Sequence, residues 1–193
     1  MHGGGKLATR LAERLELEVR MVEGRRITDK GMLDVVTMVY AGLVNKQIVA
    51  GLQAAGCNAI GLSGADHKLL GRLLDAGLVP VFPAIMHDGR GTLLNCNADS
   101  VASAVALGAA RLAPTDLIYC FEKRGVLRDA EDEGSVIREI TAATYPPLKA
   151  DGTVSKGMIP KIENALRAVE KGVRSVTIRS AERLADDSGT TIR

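Results

Sequence analysis

An α/β fold with a mainly parallel sheet, covered by helices on both faces, is the class that this 193-residue sequence predicts. Segments with helical apolar spacing alternate with short apolar runs. Gly, Asn or Asp stands at most of the junctions. The size and the 46% hydrophobic, 25% charged composition suit a single domain with a real core.

Each element has its own justification. Residues 6–17 read as a helix, with Leu7, Leu11 and Leu15 on one stripe beside Ala8 and Ala12. The glycine triplet before it reads as a strand-to-helix turn. Thr28 and Asp29 offer N-cap oxygens to a long helical region over 30–55, broken near Gly42 and stopped by Gly56. Residues 57–62 suit a buried strand, 68–76 a short helix ended by Gly77, and 78–85 a buried run made irregular by Pro80 and Pro83. Turn chemistry from His87 to Gly91 predicts a hairpin with 92–94. Asn97 caps a small-residue helix over 98–111, and 116–121 is a strand. Thr141 caps a short helix with Tyr145 near its end, cut off by Pro146 and Pro147. A helix from about Met158 tolerates Pro160 in its first turn and carries Ile162, Ala165, Leu166 and Val169. Residues 175–178 close the pattern as a strand.

Composition excludes several functions. Lys+Arg 25 and Asp+Glu 23 are interspersed, and aromatics are only 3% without Trp, so a nucleic-acid partner is not expected. Cys57, Cys96 and Cys120 are too few and too scattered for a disulfide framework or a metal cluster. The apolar run 76–86 is too short to span a bilayer, and no signal peptide is visible, so a cytoplasmic location is expected.

In parallel α/β sheets ligands sit on the loops after the strands. Gly3-Gly4-Gly5-Lys6 at a helix mouth offers free N–H groups and a positive dipole end to an anion, but equally suits a tight turn. It lacks Walker A spacing. Arg25 and Arg26 beside a helix cap suit a carboxylate. Asn95-Cys96-Asn97-Ala98-Asp99 sets two amides and a carboxylate where a strand becomes a helix. Lys161 lies at a helix start, where its charge opposes the dipole, which suits an anionic ligand and equally a solvated lysine. His2 reads as structural.

Taken in order, His2-Gly3-Gly4-Gly5, Gly24-Arg25-Arg26-Ile27-Thr28, Ala41-Gly42-Leu43-Val44-Asn45-Lys46, Asn95-Cys96-Asn97-Ala98-Asp99 and Gly157-Met158-Ile159-Pro160-Lys161 resemble the acetylglutamate kinases of the amino-acid kinase superfamily. The resemblance implies a three-layer αβα sandwich and the second step of arginine biosynthesis, in which ATP phosphorylates the side-chain carboxylate of an N-acylglutamate. It implies one domain over 1–193, with an acylglutamate-binding part at about 1–110 and an ATP-binding part at about 111–193. Gly4, Gly5, Arg26 and Asn95 are then substrate-binding, with Arg26 on the α-carboxylate. Lys123, Gly125, Gly157, Met158 and Lys161 are nucleotide-binding. Lys161 and Asp99 are catalytic, Lys161 neutralising charge on the nucleotide side and Asp99 orienting the lysine chemistry. Mg2+ enters with ATP, no tightly bound cofactor or protein metal site is expected, and a homodimer or higher homo-oligomer is implied.

The chain also departs from that family. Relatives carry a lysine on a strand before paired glycines, which has no counterpart ahead of Met1, and a further segment between Asp66 and His67. The loop Glu122-Lys123-Arg124-Gly125 stands where Asp-Val-x-Gly is commoner. These departures leave a second expectation, a catalytically inactive ligand-binding or assembly module of the same fold. A carbamate, aspartate or uridylate kinase is disfavoured by the pairing of the 95–99 and 157–161 motifs.

Overall fold

The computed structural model describes residues 1–22, 24–63, 70–154 and 157–193. The expected departure between Asp66 and His67 lies outside these residues. The chain forms two compact units, Met1–Val101 and Ala102–Arg193.

In the first unit, α1 (Gly5–Arg14) follows the glycine triplet directly. Its buried face is Ala8 and Ala12 with Leu11 partly buried beside them, whereas Leu7 and Leu15 are exposed, which corrects the expected stripe at two of its three leucines. Alanines allow the helix axis close to α2 (Lys30–Thr37). The short strands β1 (Met21–Val22) and β2 (Arg25–Arg26) pair antiparallel around Gly24, whose φ of 75° favours a residue without Cβ. Neither was expected, since two-residue strands leave no periodicity.

Asp29 caps α2 as the sequence predicts, its Oδ1 accepting from the Met32 N–H at 2.9 Å. The helix continues through a π segment, Met38–Val44, into α3 (Asn45–Ala54). The expected break near Gly42 is thus a change of hydrogen-bond register within a continuous helix. Lys30–Ala54 is 25 residues, long and apolar enough to cross a membrane by length and composition alone. This segment, not the 76–86 run, is the long apolar one. Its Met32, Val35, Val36 and Val39 are buried with Ala8, Ala12 and Ile85. Strands β3 (Ala59–Gly61) and β4 (Val79–Val81) pair parallel, with α4 (Leu70–Asp75) between them in sequence. His2 adds a parallel bridge to Pro83. The expected hairpin forms from β5 (Ile85–His87) and β6 (Leu93–Asn95). Helix α5 (Ala98–Ala110) starts here, capped by Asn97, whose Oδ1 accepts from the Ser100 N–H at 3.0 Å.

The second unit is built on a four-stranded sheet in the order β7-β9-β10-β8, comprising Asp116–Phe121, Ser175–Ser180, Thr190–Ile192 and Glu139–Ile140. β7 with β9 and β10 with β8 are parallel, and β9 with β10 is antiparallel. On β9, Val176, Ile178 and Ser180 alternate inward. Their core includes Ile162, Ala165 and Ala168 of α7 (Ile159–Glu170), spaced as one helical face. Helix α6 is Tyr145–Ala150, so it begins where the sequence reading placed its end. Pro146 and Pro147 sit in the first turn, where a missing N–H costs no hydrogen bond, and therefore start the helix instead of stopping it.

Candidate functional site

Each unit carries a cavity. In the first, about 520 Å³ is lined by Gly3, Gly4, Gly5, Met21, Gly24, Arg25, Arg26, Tyr40, Ala84, Asn95, Cys96, Asn97, Ala98 and Ser100. The fold thereby gathers Gly4, Gly5, Arg26 and Asn95, four residues 91 positions apart at their extremes, on one surface. Two arginines and no acidic side chain stand among these lining residues. Gly5 opens α1, whose first N–H groups have no acceptor within the helix. Helix dipole and guanidinium charge thus act together on anything bound here.

Local bonds fix these groups. Arg26 donates from Nη2 to the Thr9 hydroxyl at 2.8 Å and to the Gly5 carbonyl at 3.2 Å. The Asn95 amide donates to Thr28 Oγ1 at 2.9 Å, and the Thr28 hydroxyl donates to the Arg26 carbonyl at 3.1 Å. Tyr40, on the π segment, packs against Gly4 of the glycine turn, since a Cβ on Gly4 would stand 2.7 Å from its Cδ1. Burial pushes the Cys96 thiol pKa up, so this sulfur is held as a neutral wall of the cavity. Burial also lowers the His2 pKa against the raising effect of its bond to the Gly3 carbonyl. Asp99 sits in the first turn of α5, beside the lining residues Ala98 and Ser100.

The second unit's cavity, about 370 Å³, is lined by Phe121, Lys123, Gly125, Val126, Leu127, Ala130, Thr153, Gly157 and Met158. Lys123, Gly125, Gly157 and Met158 therefore meet on one apolar hollow, where among the described lining residues the one ammonium is that of Lys123, which donates to the Ala130 carbonyl at 3.2 Å. That composition suits a flat ring with a charged tail. Gly125 is needed for packing: a Cβ would stand 2.8 Å from Thr190 Oγ1, the atom that accepts from the Val126 N–H. Lys161 does not line this cavity. It lies in the first turn of α7 with Nζ 5.9 Å from the Tyr119 ring centroid. The Tyr119 hydroxyl in turn meets Ser103 Oγ at 2.6 Å.

Tyr40, Phe121 and Tyr119 were not singled out from sequence. Their scarcity was the available signal, since the chain holds only three Tyr and two Phe and three of the five lie at these positions.

An α/β scaffold with a glycine-turn helix opening on a cationic cavity, and a lysine at a second helix start, offers the backbone donors and fixed cations that the phosphoryl-transfer class of enzymes requires. The amino acid kinase family matches residues 1–180, and the chain belongs to that family. Across its whole length it is 47% identical to proteins named acetylglutamate kinase from Bacteroides thetaiotaomicron and Phocaeicola vulgatus, covering 85% of each. Those matches run over 219 aligned positions, so the relatives carry residues inside the matched span that this chain does not. A crystal structure of smu.665 from Streptococcus mutans superposes with a TM-score of 0.84 at 28% identity, covering 99% of this chain and 83% of that one. An ATP-using kinase fold is thereby established. Among the described residues there is no group of three His, Cys, Asp or Glu side chains able to hold a metal ion.

Proposed function

We propose that this chain transfers the γ-phosphoryl group of ATP to the side-chain carboxylate of N-acetyl-L-glutamate, or of another N-acylglutamate, in arginine biosynthesis. The observation that carries this reading is the full-length identity to acetylglutamate kinases, joined to a cationic cavity on which Gly4, Gly5, Arg26 and Asn95 converge. That match does not favour an inactive module.

The acceptor carboxylate oxygen attacks the γ-phosphorus, the bond to the β,γ-bridging oxygen breaks, and ADP leaves with that electron pair. Little covalent chemistry is asked of the protein, so its residues position and neutralise. Arg26 holds the α-carboxylate through its guanidinium, braced on Thr9, and Asn95 holds neighbouring polar groups. The N–H groups of Gly4 and Gly5 donate to the side-chain carboxylate and to the transferring phosphoryl. The hollow of Phe121, Gly125, Gly157 and Met158 takes the nucleotide base, and Lys123 takes a polar edge of it. Lys161 neutralises charge on the nucleotide side, and Asp99 is the orienting carboxylate. Mg2+ arrives on the phosphate oxygens of ATP and screens their charge. A cytoplasmic location accords with the use of ATP. A homodimer is supported by Met38 and Leu43, both about half exposed on the long helix.

The test is a hydroxylamine trap for the acyl phosphate, with ATP, Mg2+ and acetylglutamate. Hydroxamate that depends on all three is expected; its absence sinks the proposal.

A further inference from the structure

The mechanism leaves unused the most deeply buried amide of the first unit. Asn45, 1% exposed, opens α3 directly after the π segment. Its Nδ2 donates to the Val81 carbonyl at 2.9 Å and lies 3.1 Å from His2 Nε2. Its Oδ1 meets Lys46 Nζ at 3.4 Å. A side chain on Gly61 would collide with that Oδ1, so β3 is bare where the amide must pass.

The chemistry of these partners allows one assignment of protons. A carbonyl oxygen only accepts, so the atom facing Val81 is the amide nitrogen. That nitrogen only donates, so His2 Nε2 accepts and carries no proton. The proton then resides on Nδ1, which donates to the Gly3 carbonyl at 2.8 Å. The His2 N–H meanwhile donates to the Phe82 carbonyl at 3.0 Å. One line of hydrogen bonds therefore runs from the end of β4 through Asn45 and the imidazole to the peptide of Gly3, the first member of the glycine turn. The same helix supplies Tyr40 beneath Gly4, five residues earlier and on the π segment. A π register inside a core helix rotates residues that an α register would hold apart, and such insertions concentrate at functional sites.

We propose that Asn45 is a positioning residue that, through the Nδ1–H form of His2 and together with Tyr40, aims the Gly3–Gly5 peptides into the acceptor cavity. This rests on the reading of that cavity as the acylglutamate site. Asn45 is not among the residues that line the cavity; it acts through His2.

Two variants and one spectrum test it. In Asn45→Ala the KM for acetylglutamate should rise about tenfold and kcat/KM fall by about 10²-fold, because a misdirected donor loses alignment, while KM for ATP stays within about twofold. His2→Ala, at a position outside the core, should shift the same parameters if the buried variant fails to fold. Nitrogen-15 long-range NMR of the unsubstituted chain should show His2 protonated at Nδ1 alone. A fall in kcat with both KM values unaltered would mean lost folded protein only and would overturn the positioning role, as would an Nε2–H imidazole. Absence of turnover in the unsubstituted chain would overturn the functional reading and the role with it. Normal turnover with unaltered variants would overturn the role alone.

Discussion

The guanidinium of Arg26 donates to the hydroxyl of Thr9 at 2.8 Å, joining β2 to the first turns of α1. A further bond to the Gly5 carbonyl places this fixed positive charge at the positive end of the α1 dipole. Like charges are gathered here at a cost that a bound carboxylate offsets. Removing the fork should therefore act on acceptor affinity. Arg26→Ala is expected to raise KM for acetylglutamate about 10–100-fold, the worth of a charged hydrogen bond. Arg26→Lys should recover little of it, because a point charge does not reproduce a planar fork. Steady-state kinetics varying acetylglutamate at saturating ATP decide the matter, and an unchanged KM would remove Arg26 from the site.

Lys161 makes a different prediction. Its ammonium rests over the Tyr119 ring, which Ser103 holds by the hydroxyl. A cation placed at a helix start is unfavourable in the resting protein and becomes favourable as phosphoryl charge develops. Lys161→Ala should lower kcat by about 10²–10³-fold with little change in KM for acetylglutamate. Initial rates at saturating substrates measure it. A kcat within threefold of the unsubstituted enzyme would mean that Lys161 is only a solvated surface cation.

The glycine triplet separates close approach from conformational need. Gly4 has φ of 172°, outside the left-handed region that favours glycine, yet its missing Cβ is space that Tyr40 fills at 2.7 Å. Gly3 has nothing within 4 Å of the same position. Gly4→Ala should therefore destabilise by about 1–3 kcal/mol, through overpacking. For a chain of this size that lowers Tm by roughly 2–10 °C. Gly3→Ala should stay within about 0.5 kcal/mol, as at other uncrowded sites. Calorimetry of the two proteins side by side gives the answer, and equal Tm values would show that the ring can move aside.

Legibility followed the reach of each signal. Asp29, Asn97 and Pro160 act within four residues, and their helices begin where the sequence says. Strand β7 carries the apolar run Leu117–Phe121 and β9 alternates Val176 and Ile178 with polar residues, so both are legible, whereas β8 and β10 span two and three residues and exist only through their partners. Pro146 and Pro147 misled because a proline pair can end one helix or open another, and only packing decides. The acceptor-side residues were readable as motifs, but nothing local reveals that Tyr40 comes under Gly4, or that Asn45 meets His2 43 positions away. Both depend on the π register of the helix between them, which has no sequence period of its own.

The second unit's sheet offers a test by pH. Asp116 and Ser175 face each other at the first rung of the β7–β9 ladder, and Arg174 precedes it. The Arg174 guanidinium, donating from Nε to Oδ1 at 2.9 Å and from Nη2 to Oδ2, is the larger cause that holds the Asp116 carboxyl at about 2, below its ordinary 3.8, and the Ser175 hydroxyl adds to it. A carboxyl whose folded pKa is depressed binds fewer protons folded than unfolded between those two values. Its contribution is therefore complete above pH 3.8 and is lost as pH falls toward 2. Both side chains are more than a third exposed, so the effect is modest and weakens with salt. In Arg174→Ala the Asp116 midpoint, followed by carboxyl NMR, should move up toward 3.8 while Ser175 keeps it from arriving. The Tm deficit of the variant should be present at pH 7 and shrink steadily below pH 4, since protonation removes the partner in both proteins. A deficit that persists unchanged at pH 2 would place the role of Arg174 in packing its stem against the strand ends, not in its charge.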